Sequence, residues 1–321
     1  MHDSLHFTAK APVRLACAFI GIFLLLYLIA FAVVEFGSVR EGRETAFQRL
    51  LASRGNSVDW VVLGASHALP LRFGNISERL TEDGGQSMTV LAEIGAGPLY
   101  NQFVFDQAVR DLQFTHLLYV VDSFAFASAE WNKVRVGERK LLARTPLRQS
   151  TAGTLTGMVL EEGVDPRALL DYLTGFSKLN PVERFPTAGW RGEADFARVF
   201  RPSRHATASR LSYLYPDGLA QPDTMERYLD TLENILNRAA QNGIKVTVVK
   251  LPLPKAMRQG LPEEHAFDKA LAKRLEPRGI AFFDLSAELD DPKFYFDTDH
   301  LNQKGVEALY DQSLRSILSS D

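Results

Sequence analysis

The sequence predicts an α/β fold: a three-layer sandwich around a mostly parallel, five-stranded sheet, preceded by one apolar helix. Short apolar runs rich in β-branched residues alternate with segments of helical periodicity, which is typical of parallel strands covered by helices on both faces. The second observation is an uninterrupted apolar stretch near the N-terminus. The predicted strands are Val58–Leu63, Met88–Ala92, His116–Val121, Lys245–Leu251 and Ile280–Leu285.

The N-terminal stretch is long enough to cross a bilayer. Residues 15–34 are all apolar or glycine, and about 20 such residues span a hydrocarbon core of ~30 Å. Lys10 and Arg14 precede the stretch, so residues 1–14 are expected to form a cytoplasmic tail. Arginines that follow it weigh against this orientation, but large domains translocate with little regard to such charges. We therefore expect a single-pass protein of the inner (cytoplasmic) membrane, with its soluble domain on the periplasmic side.

A cleaved export signal is the alternative interpretation of this stretch. Ala30-Phe31-Ala32 resembles a signal-peptidase site. The apolar run is longer than the usual core of a signal peptide, which favours an uncleaved anchor.

Behind the anchor, the sequence predicts a helical stalk over residues 35–57 and one α/β domain over residues 58–321. Helical patterns in that domain cover 100–112, 225–239, 262–275 and 305–318. Residues 123–221 break the alternation of strands and helices, which predicts an insertion between the third and fourth strands. An insertion at the carboxyl ends of the strands would cover the edge where open sheets bind ligands.

Bulk composition excludes several classes of function. The net charge of −3 over 321 residues, with no long basic or acidic run, gives no sign of nucleic-acid binding. The single cysteine excludes an internal disulfide and a cysteine-based zinc site. The seven histidines are scattered along the chain, so we expect neither a metal nor another cofactor.

Two short segments suggest nucleophilic catalysis. Ser66 follows the first strand directly after Gly64-Ala65, while Asp297 and His300 lie three residues apart before the last helix. A serine hydroxyl becomes an effective nucleophile when a histidine takes its proton and an acid orients that histidine. We therefore predict Ser66 as nucleophile, His300 as base and Asp297 as orienting acid. Asp299 competes for the last role, and Ser66 could instead cap the next helix.

Other polar or glycine positions follow the predicted strands. The backbone N–H groups of Ser66 and Gly95 could hold an oxyanion, although a glycine-rich turn is needed in any α/β fold. His67, Asp122 and Asn302 are predicted as walls of the site. Asp122 and Asn302 could equally act as helix caps.

This ordering resembles the SGNH (GDSL-like) hydrolase superfamily over residues 58–127 and 244–318. Gly64-Ala65-Ser66 matches the serine block, Gly95 the glycine block, and Asp297 to Asn302 the D-x-x-H block. Ala65 replaces the usual aspartate, and Val121-Asp122-Ser123 stands where the family has G-x-N-D. The resemblance implies a flavodoxin-like sheet and serine hydrolase chemistry. In the family the asparagine of G-x-N-D donates a hydrogen bond to the oxyanion, and this chain lacks that donor.

The anchor, the altered third block and the insertion resemble one subgroup: the membrane-anchored proteins of D-alanyl-lipoteichoic acid transfer and of alginate and cellulose O-acetylation. That resemblance implies a serine O-acyltransferase or esterase acting on acyl esters, such as O-acetyl esters, of cell-envelope or exported polysaccharide. It also implies a membrane-bound O-acyltransferase as partner. A non-catalytic scaffold or polymer-binding subunit is the alternative, favoured by the missing asparagine and opposed by the intact serine and D-x-x-H. Trp131 and Trp190 could stack on sugar rings, although core packing is the ordinary role of each. Four arginines could contact an anionic polymer, although a solvated surface is their ordinary role: Arg198, Arg201, Arg204 and Arg210.

Overall fold

The computed structural model describes residues 10–181, 191–219 and 221–319. Its centre is a five-stranded, all-parallel sheet in the order β2-β1-β3-β4-β5, so the predicted fold class is confirmed. Each observed strand lies within a predicted run. The strands are β1 Trp60–Leu63, β2 Met88–Val90, β3 His116–Val120, β4 Lys245–Lys250 and β5 Ala281–Asp284.

The strand order creates a cleft at one edge of the sheet. In β1, Trp60 pairs with Met88 of β2 on one side and with His116 of β3 on the other. The connection after β1 therefore leads to the strand on one side of it, β2, whereas the connection after β3 leads in the opposite direction along the sheet, to β4. Open parallel sheets bind ligands at the carboxyl ends of strands where the order reverses in this way.

Helices cover both faces of the sheet. The helix predicted at 262–275 is confirmed from Glu264 onward and is preceded by a separate short helix, Lys255–Gly260, that was not predicted, while the last predicted helix contains a π turn at Tyr310–Leu314. The helices before the insertion and after it are α1 Lys10–Val34, α2 Ala46–Ser53, α3 Leu69–Phe73, α4 Ile76–Gly84, α5 Pro98–Asp111, α12 Pro222–Gln241, α13 Lys255–Gly260, α14 Glu264–Leu275, α15 Gln303–Leu309 and α16 Arg315–Leu318.

The segment predicted as an insertion consists, in its described residues, of helices joined by loops. Its helices are α6 Arg139–Ala143, α7 Gln149–Glu161, α8 Pro166–Thr174, α9 Phe176–Leu179, α10 Gly192–Asp195 and α11 Arg204–Leu214. Trp131 precedes them and is buried. Trp190 lies outside the described residues.

α1 is the apolar helix predicted from the sequence. The helical segment Pro12–Val39, which includes most of α1 and continues past its end, is long and apolar enough to cross a membrane. The most apolar part of this segment is not buried by the domain. The following segment, predicted as a stalk, packs on the domain at α2. Phe47 and Leu50 join the core, and the Ala46 amide donates to Glu93 Oε2 at 2.8 Å.

Gly64 makes the turn after β1 possible, and its replacement provides a test. Its φ is +152°, and a Cβ added there would lie 2.9 Å from both the Cβ and the carbonyl oxygen of Val120. We expect Gly64→Ala to lower the free energy of unfolding by about 1–3 kcal/mol, measured by urea unfolding in detergent. Gly157→Ala is the matched control. It lies in α7 with no neighbour near its added Cβ and is expected to stabilise by about 0.5–1 kcal/mol; equal effects would contradict the interpretation.

Candidate active site

Ser66 begins a tight turn immediately after the first strand. β1 ends at Leu63, and the turn closes through a hydrogen bond from the Ala68 amide to the Ala65 carbonyl, 3.2 Å long. The Ser66 side chain is not used as a helix cap, because its Oγ lies 2.9 Å from His300 Nε2. The turn therefore presents the hydroxyl at the carboxyl edge of the sheet, facing the loop before α15.

Ser66, His300 and Asp297 form a continuous hydrogen-bonded row. His300 Nδ1 lies 2.9 Å from both carboxylate oxygens of Asp297. A carboxylate on Nδ1 favours the tautomer that carries its proton there, which leaves Nε2 free to accept the Ser66 hydroxyl proton. The geometry is that of a Ser-His-Asp triad whose members are 234 residues apart at the extremes.

Backbone amides hold Asp297 in place. Its Oδ1 accepts from the amides of His300 at 2.8 Å and Asp299 at 3.1 Å. Burial acts to raise the pKa of Asp297, but the nearby His300 ring outweighs it, and the pKa lies below its ordinary value. The carboxylate is therefore ionised at neutral pH and oriented toward the imidazole.

Asp299, the competing acid, belongs to a second network behind the triad. Its Oδ1 is 3.5 Å from His300 Nδ1, farther than the oxygens of Asp297. Arg210 Nε lies 2.8 Å and 3.0 Å from the two Asp299 oxygens, and His67 Nε2 lies 2.9 Å from Oδ2. Burial acts to raise the pKa of Asp299, but His300 and Arg210 together hold it well below the usual range.

His67 joins Asp299 to Asp122. Its Nδ1 lies 2.6 Å from Asp122 Oδ1, so both ring nitrogens face carboxylates. Burial acts to lower the pKa of His67, but Asp122 and Asp299 raise it to about 10. His67 is therefore a doubly protonated cation at neutral pH and has no free nitrogen with which to serve as base. Its ring lies 4.8 Å from that of His300, centroid to centroid.

A cavity of about 220 Å³ opens beside the Ser66 hydroxyl. It is lined by residues of the sheet edge and of the insertion: Ser66, Gly95, Trp131, Arg210, Tyr213 and His300. Gly95 has a φ of +65°, and a Cβ there would approach the Trp131 ring to 2.9 Å. Among the described residues, no acceptor is bonded to the backbone N–H of Ser66 or Gly95. The two predicted oxyanion donors thus lie around one cavity, and among the described residues neither N–H is used in another hydrogen bond.

Asn302 supports the loop that carries the acid and the base. Its Oδ1 accepts from the Gly305 amide at 3.0 Å, which caps α15. Its Nδ2 donates to the carbonyls of Lys293 at 2.8 Å and Arg198 at 3.0 Å. Within the described chain, Asn302 is not part of the cavity lining, so these contacts correspond to the cap interpretation.

Three buried groups could hold a metal ion by proximity alone. Ligand atoms of His67, Asp299 and His300 lie within 4.8 Å of one another. Metal-bound histidines must be neutral, whereas the carboxylates around His67 keep it protonated. The Arg210 guanidinium, 2.8 Å from Asp299, adds another positive charge. The donor set does not fit a cation in this arrangement.

Arg210 and Tyr213 are the site residues that local sequence signals did not identify. Both lie on α11, and the Arg210 guanidinium carbon is 5.2 Å from the Tyr213 ring centre. Arg210 was one of several arginines considered for polymer contact. No pattern in the sequence around Arg210 identifies it as the partner of Asp299, which is 89 residues away along the chain.

Comparisons with known proteins add little to this geometry. No protein-family model and no curated protein sequence matches the chain. Among solved structures, it is similar to the crystal structure of a protein from Bacteroides fragilis NCTC 9343 that is provisionally assigned as an acylhydrolase. The TM-score is 0.40 and the identity 12%, over 82% of this chain and 89% of that chain. A likeness at this level carries no argument about family or function.

The charge on His67 predicts a pH-dependent stability. Since its pKa is about 10 when folded and 6.5 as a free side chain, the contribution is full below pH 6.5 and is lost as the pH rises through 10. Urea unfolding of the native chain in detergent should therefore show falling stability across this window. His67→Gln should be less stable at the low end and show a flatter profile. An equally steep fall in this variant would contradict a buried imidazolium.

Proposed function

We propose that the chain is a membrane-anchored serine esterase or acyltransferase with Ser66 as nucleophile, His300 as base and Asp297 as orienting acid. One observation carries the proposal. The Ser66 Oγ to His300 Nε2 distance and the His300 Nδ1 to Asp297 distances are all 2.9 Å. These contacts are the ones that a Ser-His-Asp triad uses to activate its serine.

In the first half of the reaction, Ser66 Oγ attacks the acyl carbon of an ester while its proton passes to His300 Nε2. The tetrahedral intermediate carries its negative charge on the former carbonyl oxygen. The amides of Ser66 and Gly95 donate to that oxygen and take the role that a side-chain asparagine would share. Collapse breaks the bond to the alcohol oxygen, which leaves with the proton returned from His300.

In the second half, the acyl group moves from Ser66 to an acceptor hydroxyl. His300 removes the proton of the acceptor hydroxyl as the acceptor oxygen attacks the acyl carbon. The bond between Ser66 Oγ and the acyl carbon then breaks, and Ser66 takes that proton back from His300. Water as acceptor makes the protein an esterase, and a sugar hydroxyl makes it a transferase. Trp131 and Tyr213 line the cavity beside Ser66, so their rings would lie next to the acyl group.

We propose an acyl group as small as acetyl and a cell-envelope or exported polysaccharide as donor or acceptor. The cavity of about 220 Å³ suits a short acyl chain. Tyr213 is 56% exposed at its mouth, where an aromatic face can stack on a sugar ring. The resemblance noted from the sequence supports the same substrate class, a periplasmic location and a membrane-bound O-acyltransferase as partner.

An activated serine can be detected without knowing the substrate. The full chain in detergent is treated with a fluorophosphonate, which transfers its phosphonyl group to a nucleophilic serine with loss of fluoride. We expect one adduct by intact mass, absent in Ser66→Ala and in His300→Gln. Hydrolysis of a p-nitrophenyl acetate probe should fall by roughly 10⁴–10⁶-fold in both variants.

Ser123→Ala is the matched control. Ser123 is a second buried serine at the carboxyl edge, and its hydroxyl is 2.9 Å from the Tyr215 hydroxyl rather than from a histidine. This variant should keep the adduct. Folded native protein that forms no adduct would instead favour the non-catalytic scaffold.

Gly95 provides a separate test of the oxyanion site. Gly95→Ala adds a methyl group against Trp131 and requires alanine to adopt a φ of +65°, so its amide should shift away from the developing oxyanion. We expect kcat for the acetate probe to fall by roughly 10²–10³-fold while KM changes little. An unchanged kcat would mean that the Gly95 amide does not contact the oxyanion.

A further inference from the structure

An exposed apolar patch lies beside the apolar N-terminal helix. We define the α8–α9 patch as Leu170, Leu173 and Phe176, of which 64%, 51% and 50% is exposed. On the opposite side of α8, Ala168 and Tyr172 are buried in the domain. α8 thus has one apolar face in the core and a second one uncovered.

The patch is attached to α1 by direct contacts. The Tyr27 hydroxyl donates to the Thr174 carbonyl at 3.0 Å. The Phe31 ring lies directly on the Gly175 backbone, where any Cβ would overlap it. A buried ion pair between Lys178 and Glu35 secures the end of the helix. The position of α1 therefore determines where the patch lies.

The length of α1 places these contacts near or below the membrane surface. Arg14 and Val34 are separated by 20 residues, about 30 Å of helix, which equals the thickness of a hydrocarbon core. Tyr27 precedes Val34 by seven residues and lies about 10 Å deeper along the helix. Thr174, bonded to Tyr27, is carried to the same level.

We propose that the α8–α9 patch is inserted in the outer-leaflet interface of the bilayer that α1 spans. The occupant of the uncovered face is lipid, because the patch continues the apolar surface of α1. A groove of about 690 Å³ is lined by Tyr27 of α1 and by Leu170 and Phe176 of the patch. Two arginines and two aspartates also line it, so its charges balance and the expected lipid contact rests on the apolar side chains: Arg139, Arg167, Asp165 and Asp171.

This inference depends on α1 spanning a membrane and does not depend on catalysis. It makes the insertion a second membrane contact, so that the domain is held against the bilayer at two points. A flexible tether would instead leave the patch in water.

The test measures lipid contact with an environment-sensitive label. The protein has one native cysteine, Cys17, which is exposed on α1. Three full-length proteins are labelled with nitrobenzoxadiazole: the native chain at Cys17, and the Cys17→Ala chain with either Leu173→Cys or Leu160→Cys. Each is reconstituted in phosphatidylethanolamine and phosphatidylglycerol vesicles that contain a lipid with a nitroxide near the head-group end of its chain.

Leu160 is the matched control, since it is another exposed leucine of the insertion, at 78% against 51% for Leu173. It precedes the start of α8, whereas Thr174, at the other end of this nine-residue helix, meets α1. We expect the label at position 173 to emit at shorter wavelength and to be quenched several-fold more than the label at 160. Cysteine at either exposed position should leave the fold intact.

Each outcome bears on the proposal. Equal quenching at 173 and 160, whether weak or strong, would overturn it, because the patch would then have no specific lipid contact. The label at Cys17 separates this failure from loss of the anchor: quenching at 17 without quenching at 173 rejects the patch alone. No quenching at 17 rejects the membrane anchor and the patch together, while fluorophosphonate labelling of Ser66 still tests the catalytic proposal.

Discussion

The buried carboxylate of Asp299 connects three parts of the chain that are distant in sequence. It lies in the loop before α15, contacts His67 on the turn after β1, and pairs with Arg210 on α11 of the insertion. A buried carboxylate is costly unless it is paired and fully hydrogen-bonded. The cluster can therefore form only when sheet edge, final loop and insertion are assembled together, which makes site geometry a property of the whole domain.

The same cluster sets the electrostatic environment of His300. Three carboxylates, those of Asp122, Asp297 and Asp299, lie around two groups that are cationic at neutral pH, Arg210 and His67, so these five groups carry a net charge of −1. In the proposed reaction, the proton taken from Ser66 would bring the charge of the cluster to zero, and the carboxylates would stabilise the imidazolium that forms. Asp122, which stands where the resemblance expects an asparagine, thus contributes charge through His67 rather than an oxyanion donor.

Local sequence signals were sufficient for the strands, and they predicted three residues that the structure joins by hydrogen bonds. Short β-branched runs are typical of buried parallel strands, Ser66 lies on the turn after β1, and Asp297 and His300 lie in the loop before α15. Arg210 could not be identified in this way, because its role depends on a tertiary contact. The helices of the insertion were also missed as a group; α11, for example, has little apolar periodicity and buries only Leu214 fully.

The insertion contacts both the candidate site and α1, and this has a consequence for how a substrate would reach Ser66. Through α11 it contributes Arg210 and Tyr213 to the cavity, and through α9 it holds the end of α1 by the Lys178 ion pair. α2 also packs against the core rather than extending freely. Under the proposed anchoring by α1, a site connected to that helix by packed helices would stay at a nearly constant height above the bilayer. It would then favour substrates presented by the membrane or by a membrane partner over polymers free in solution.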